Sequence, residues 1–91
     1  MPELKRAMTI KNKLGLHARA ATKLAKLSSQ FKAKVTIEQG AQRVDASSVM
    51  GLMLLASQQG KEINVIAEGQ DAEAALNAIE QLIQDRFDEE A

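Results

Sequence analysis

The hydrophobic pattern of this chain switches repeatedly between a repeat of two and a repeat near 3.6, and that alternation limits the folds open to it. Residues 4–11 alternate, with Leu4, Met8 and Ile10 on one side and Lys5, Thr9 and Lys11 on the other, which predicts a half-buried first strand. Residues 12–17 form a loop hinged at Gly15. Residues 18–28 predict a helix: Ala21, Leu24, Ala25 and Leu27 recur at helical spacing, Lys23 and Lys26 lie outside, and Phe31 covers the end. Alternation returns at 33–38, a Gln39-Gly40 turn follows, and 42–44 completes a hairpin. Asp45-Ala46-Ser47-Ser48 supplies cap residues for a short second helix over 49–56, which ends at Gln58-Gln59-Gly60. Ile63, Val65 and Ala67 alternate as a fourth strand, and Gly69-Gln70-Asp71 reads as a turn and a cap. From Ala72 onward, Ala75, Leu76, Ile79, Leu82, Ile83 and Phe87 form one continuous stripe, with Asp88-Glu89-Glu90 as a frayed acidic tail.

Each strand therefore has one apolar face, and every helix can pack on that face while the other stays wet. The expectation is an open-faced α+β sandwich formed by one domain over residues 1–91. Only Phe31 and Phe87 are aromatic, so the core must be built from Leu, Ile, Val, Met and Ala. The absence of cysteine excludes disulfides and thiolate metal sites, and a single histidine argues against structural zinc; no metal or cofactor is implied. Twelve basic and twelve acidic residues balance, which argues against a nucleic-acid binder, as does the lack of aromatic residues for base stacking. The basic residues concentrate in 5–34 and the acidic ones in 62–90. No stretch approaches the ~20 apolar residues of a membrane span. Residues 1–13 lack an apolar signal core, so the chain reads as cytoplasmic with no membrane insertion.

The chemistry concentrates at the one histidine, His17, in the run Leu14-Gly15-Leu16-His17-Ala18-Arg19-Ala20-Ala21. A helix start presents free backbone N–H groups and partial positive charge, which favour an anion. The same field and the Arg19 guanidinium disfavour added positive charge on the ring, and a neutral imidazole nitrogen is a nucleophile. Arg19 offers a planar fork suited to phosphate, with the N–H groups of Ala18 and Arg19 as further donors. A solvated loop pair is the ordinary outcome for an isolated His-x-Arg, so the surrounding context must carry the assignment. Ser47-Ser48 is first of all a helix cap, but phosphate at a helix start is tolerated, so Ser48 is also a candidate for regulatory phosphorylation. In the second helix, Leu52 and Leu55 share a stripe assigned to the core. Val49, Met50 and Met53 lie on another, where methionines can serve as adaptable contact residues.

Taken together these runs resemble the histidine-containing phosphocarrier family, HPr, of the phosphoenolpyruvate-dependent sugar phosphotransferase system. The likeness covers Met8 to about Phe87 and rests on three runs in order: Gly15-Leu16-His17-Ala18-Arg19, Ser48-Val49-Met50-Gly51-Leu52-Met53, and Ile63-Asn64-Val65-Ile66-Ala67-Glu68-Gly69. The resemblance implies a four-stranded antiparallel sheet with the first and fourth strands adjacent and the second and third adjacent, and three helices on one face. It implies a phosphoryl group on Nδ1 of His17, held with help from Arg19. Enzyme I would be the donor, drawing on phosphoenolpyruvate, and enzyme IIA-type proteins the acceptors, in a sugar or a nitrogen-regulatory branch. Leu16, Ala20, Val49, Met50 and Met53 are the expected partner surface, and a carrier that serves several partners is expected to be a monomer. Ser48 matches the serine that an ATP-dependent kinase/phosphorylase acts on in some members. Where the family usually has proline after the arginine, this chain has Ala20, which predicts a less rigid helix start with the anion site kept. The competing reading is a regulatory binding module controlled at Ser48, acting through Val49, Met50 and Met53.

Overall fold

A computed structural model describes residues 3–55 and 58–89. In chain order it contains β1 (Glu3–Thr9), α1 (Ala18–Ser28), β2 (Ala33–Gln39), β3 (Gln42–Asp45), α2 (Val49–Leu54), β4 (Glu62–Gly69) and α3 (Ala72–Gln84). The strands form one four-stranded sheet in the order β1-β4-β2-β3. Every neighbouring pair is antiparallel. Both expected adjacencies are present, and the pairing of β2 with β4 joins them into a single sheet.

Register puts the apolar rows in line. Met8 lies opposite Ile63, Ile37 opposite Val65, and Val35 opposite Ala67. All six are buried in one cluster with Leu24 of α1, Leu52 of α2 and Leu76, Ile79 and Ile83 of α3. Leu4, at the end of the same row, is exposed. The open face is charged: Glu38 Oε1 lies 3.3 Å from Lys5 Nζ, and Glu38 Oε2 accepts from Arg43 at 3.0 Å. Hydrogen bonds from those two side chains hold the Glu38 carboxyl below its ordinary range. This face is not wholly wet, because Ile66 is buried there between Lys5 and Thr36 of the adjoining strands.

Three boundaries differ from the pattern-based expectation. β1 stops at Thr9, although Ile10 keeps sheet-like bonds, donating to Lys61 O at 2.9 Å and accepting from Gly60 N at 2.9 Å. α2 ends at Leu54, and the expected last residue of that helix, Ala56, lies outside the described residues. α3 ends at Gln84, and Phe87 reaches the core by another route. The chain makes a tight turn over Arg86–Asp88 with φ of 56°, 53° and 64°. Left-handed backbone costs side-chain-bearing residues about 1 kcal/mol or more each. Complete burial of the Phe87 ring offsets this, and Lys23 Nζ donates to the Phe87 carbonyl at 2.8 Å.

Asp71 was expected to cap α3, yet its side chain makes no cap bond. Its Oδ2 instead accepts from Lys32 N at 2.8 Å, while Asp71 N donates to Lys32 O at 3.2 Å. This pair ties the entry to β2 to the exit from β4. Gly69 makes the approach possible: its φ is +136°, and a Cβ there would lie 2.8 Å from Lys32 O. Among the described residues, no helix is long and apolar enough to cross a membrane. Replacing Gly69 with alanine is expected to destabilise the fold by at least about 1 kcal/mol. Urea unfolding checks this as a lower midpoint with an unchanged slope.

Candidate functional site

The loop ahead of α1 is built around a buried asparagine. Gly15 N donates to Asn12 O at 3.2 Å, and Asn12 Nδ2 returns a bond to Gly15 O at 2.8 Å. Gly15 turns with φ of 66°, and Leu16 then drops into the core. The chain is thus anchored up to the residue before His17, and His17 occupies the N-cap position of α1 with φ −76° and ψ 178°. Its carbonyl accepts from Ala21 N at 2.8 Å, but its side chain makes no cap bond, so the ring projects from the helix start. No acidic residue occupies the first turn of α1. The helix supplies no acceptor for the N–H groups of Ala18, Arg19 and Ala20. Arg19 is exposed and has no ion-pair partner among the described residues.

The ring does have a partner. His17 Nε2 donates to Glu89 Oε2, since a carboxylate can only accept. Asn12 Nδ2 donates to the other oxygen, Oε1, at 3.0 Å. The His17 side chain keeps 26% of its surface exposed. Asn12 has no exposure, and its Oδ1 has no hydrogen-bond partner among the described residues. A buried unsatisfied acceptor costs about 1–3 kcal/mol. Turning the amide over would be worse, because Oδ1 would then face the Gly15 carbonyl and the Glu89 carboxylate.

The expectation of a frayed Asp88-Glu89-Glu90 tail is therefore corrected for its first two members, while Glu90 lies outside the described residues. Asp88 N donates to Asp85 O at 3.0 Å and Glu89 N to Arg86 O at 2.9 Å, which shapes the turn that returns Glu89 to His17. Burial acts to raise the Glu89 pKa. Hydrogen bonds from Asn12 and His17, with the charges of His17 and Arg19, outweigh it and hold the carboxyl below its ordinary range.

Ser48 is exposed at the start of α2 and its Oγ accepts from Gly51 N at 3.0 Å, so the cap expected there is present. Asp45 shapes the preceding turn, accepting at Oδ1 from Ser47 N at 2.8 Å and Ser47 Oγ at 2.6 Å. Gly51 is confined: a Cβ would meet Ser48 Oγ at 3.1 Å and Val44 Cβ at 3.3 Å. Leu52 and Leu55 are buried as expected, Met50 and Met53 are exposed, and Val49 is half-buried against the core. Two members of the expected partner surface are not on it. Leu16 and Ala20 are both buried in the core cluster, because the loop and the first turn of α1 use them to anchor the helix start in the core. Leu14 and Leu54, at 68% and 75%, are the most exposed of the apolar residues missing from that expectation. Leu14 left a signal, as a large apolar residue between Lys13 and Gly15 in a polar loop. Asn12 and Glu89 left none, since nothing in a period of two or 3.6 marks a buried loop amide or a carboxylate that folds back.

A family model described as the phosphorylation site of the PTS HPr component matches residues 4–85. The chain is 55% identical over 89 residues to phosphocarrier protein NPr of Shewanella violacea, covering 98% of each. It is 42% identical over 87 residues to phosphocarrier protein HPr of Xylella fastidiosa, covering 96% of this chain and 98% of that one. Its fold superposes on the crystal structure of HPr-C-His from Thermoanaerobacter tengcongensis with a TM-score of 0.90, 40% identity and 100% of both chains covered. The chain belongs to the HPr family and is a phosphocarrier of the phosphotransferase system.

Because the Glu89 pKa is lowered on folding, the stabilisation from its ties is complete above the unfolded value, about 4.3, and is lost as pH falls through the folded one. A carbon-detected titration of the Glu89 carboxyl is expected to show a midpoint below that ordinary value. The same titration on an unfolded fragment should return to it.

Proposed function

We propose that His17 carries the phosphoryl group, on Nδ1, with Arg19 and the N–H groups of Ala18 and Arg19 holding the phosphate oxygens. The supporting observation is a partly exposed imidazole at the start of α1, with no cap bond of its own, no acid in the first turn and, two residues on, a guanidinium without an ion-pair partner among the described residues. The donor is enzyme I, charged from phosphoenolpyruvate, and the acceptors are enzyme IIA-type proteins. The Nδ1 lone pair forms the new bond to phosphorus as the bond to enzyme I breaks, and the released electron pair stays with enzyme I. Positioning and charge stabilisation are the carrier's contributions, so no cofactor enters. Ala20 is compatible with this, since α1 begins at Ala18 without the usual proline.

The chain works as one cytoplasmic domain and as a monomer, a reading supported by the need to present one histidine to several partners. Met50 and Met53 form the contact surface on α2 beside α1, with Leu14 flanking His17 in the loop. The greater identity to the Shewanella NPr than to the Xylella HPr supports the nitrogen-regulatory branch over the sugar branch. Ser48 is the regulatory phosphorylation site in this reading. Its exposed hydroxyl stands at a helix start next to the exposed methionines, so a phosphate there would oppose an apolar partner without unfolding α2.

Phosphorylated enzyme I is expected to label the native chain with an acid-labile, base-stable phosphate, and a His17→Ala chain should take up none. Label retained in that variant would place the acceptor elsewhere. Ser48→Asp is expected to keep its fold but bind enzyme I and the acceptor at least tenfold more weakly, about 1.4 kcal/mol. Titration calorimetry against each partner measures the difference.

A further inference from the structure

We infer that Glu89 is a positioning residue for His17: its carboxylate takes the Nε2–H hydrogen bond and so reserves Nδ1 as the nucleophile, while Asn12 holds the carboxylate in place. This rests on the reading of His17 as the acceptor. The two oxygens of Glu89 are used separately, Oε2 on His17 and Oε1 on Asn12. A carboxylate held at both ends fixes the plane of the ring as well as its proton. The holder is itself fixed, since the same Asn12 amide group binds Gly15 O in the loop that delivers the histidine. One buried side chain therefore sets both the approach of the ring and the position of its partner.

The backbone supports the same conclusion. Glu89 follows three consecutive left-handed residues, an arrangement that disordered tails do not need and that persists only where the surroundings enforce it. Phe87 supplies the anchor at the core, and Lys23 of α1 holds the turn through the Phe87 carbonyl at 2.8 Å. The turn is thus pinned to the helix that begins at His17. Strain, anchor and hydrogen bonds all act to keep one carboxylate over one ring nitrogen.

The chemical consequence concerns the proton. A neutral imidazole can carry its proton on either nitrogen, and only the bare one is nucleophilic. With Nε2–H bonded to Glu89, the lone pair resides on Nδ1. When Nδ1 forms the bond to phosphorus, the donor keeps the electron pair of the bond that breaks. The proton stays on Nε2 throughout, and the ring becomes a cation opposite Glu89. On delivery the bond from Nδ1 to phosphorus breaks, its pair returns to Nδ1, and the ring is neutral again. The helix start and Arg19 stabilise the phosphate but oppose charge on the ring. Glu89 offsets that opposition at the far side of the ring, away from the phosphate oxygens.

The test uses the full chain labelled with 15N at His17, at a pH where the ring is neutral. Two-bond proton–nitrogen spectra are expected to show the native ring in the Nε2–H form alone. Glu89→Ala should relax it to a mixture of both forms and slow phosphoryl uptake from phosphorylated enzyme I by about tenfold. Glu89→Gln keeps one acceptor oxygen where the carboxylate has two, so it can accept from Nε2–H only by giving up the bond from Asn12, and should fall between the native chain and Glu89→Ala in both proton distribution and rate. A purely structural role would leave the proton distribution unmoved, and amide spectra of the sheet check that both variants fold. A native ring with mixed forms, or a Glu89→Ala chain that takes up phosphate at the native rate, overturns the role of Glu89 alone. Absence of phosphate on His17 in the native chain overturns the reading beneath it.

Discussion

The helices are held by the apolar row of β4, where Ile63, Val65 and Ala67 have no exposure at all. β4 is paired on both sides, with β1 and with β2, so its backbone groups are satisfied and its side chains line up with those of both neighbours. Burying a residue such as Ile63 or Val65 stabilises by about 2 kcal/mol. The same row dictates where α3 settles, since that helix offers one apolar stripe and must cover it, while α1 covers its own stripe in the same core cluster beside α2 and α3. The start of α1 enters this core through the small residues Ala20 and Ala21, both fully buried, and the helix packs against α2 and α3. A larger side chain at either position would lift the helix start and carry the histidine with it.

The functional end is a balance of opposed electrostatic demands. An anionic group is welcomed by unpaired amides and an exposed guanidinium, and the first turn of α1 carries no acid to compete. The ring itself sits against a carboxylate that is kept charged despite partial burial, because Asn12, His17 and Arg19 together outweigh desolvation. In the proposed carrier role, separating the two fields on either side of a planar ring lets one residue hold a phosphate together with the positive charge that the ring carries while the phosphate is bound. A phosphocarrier needs this reversibility, since a group held too firmly could not be passed on.

The legible part of this protein was the part written in periodicity. α1 spans 18–28 as expected, and Leu52 and Leu55 face inward as their spacing required. The helix start at His17 could be read because Gly15 and the alanine run bracket it. Reading exposure from proximity to the motif misplaced Leu16 and Ala20, since neighbours of a functional residue are often what anchors it. The end of the chain was misread for a related reason. Acidic residues after an apolar stripe ordinarily fray, and only the fully buried Phe87, reached through a left-handed turn, shows that this segment comes back.

The order of strands and helices, the apolar face of each, the cap at Ser48 and the placement of a histidine before a helix were determined by sequence alone. These depend on neighbours within a turn or two, where spacing and side-chain type suffice. The meeting of Asn12, His17 and Glu89, and the burial of Leu16 and Ala20, were decided by the tertiary structure. Residues 72 positions apart, like His17 and Glu89, share no local pattern. What brings them together is the packing of α3 and its terminal turn beside α1 on a common sheet, and packing of that kind leaves no periodic trace in the chain.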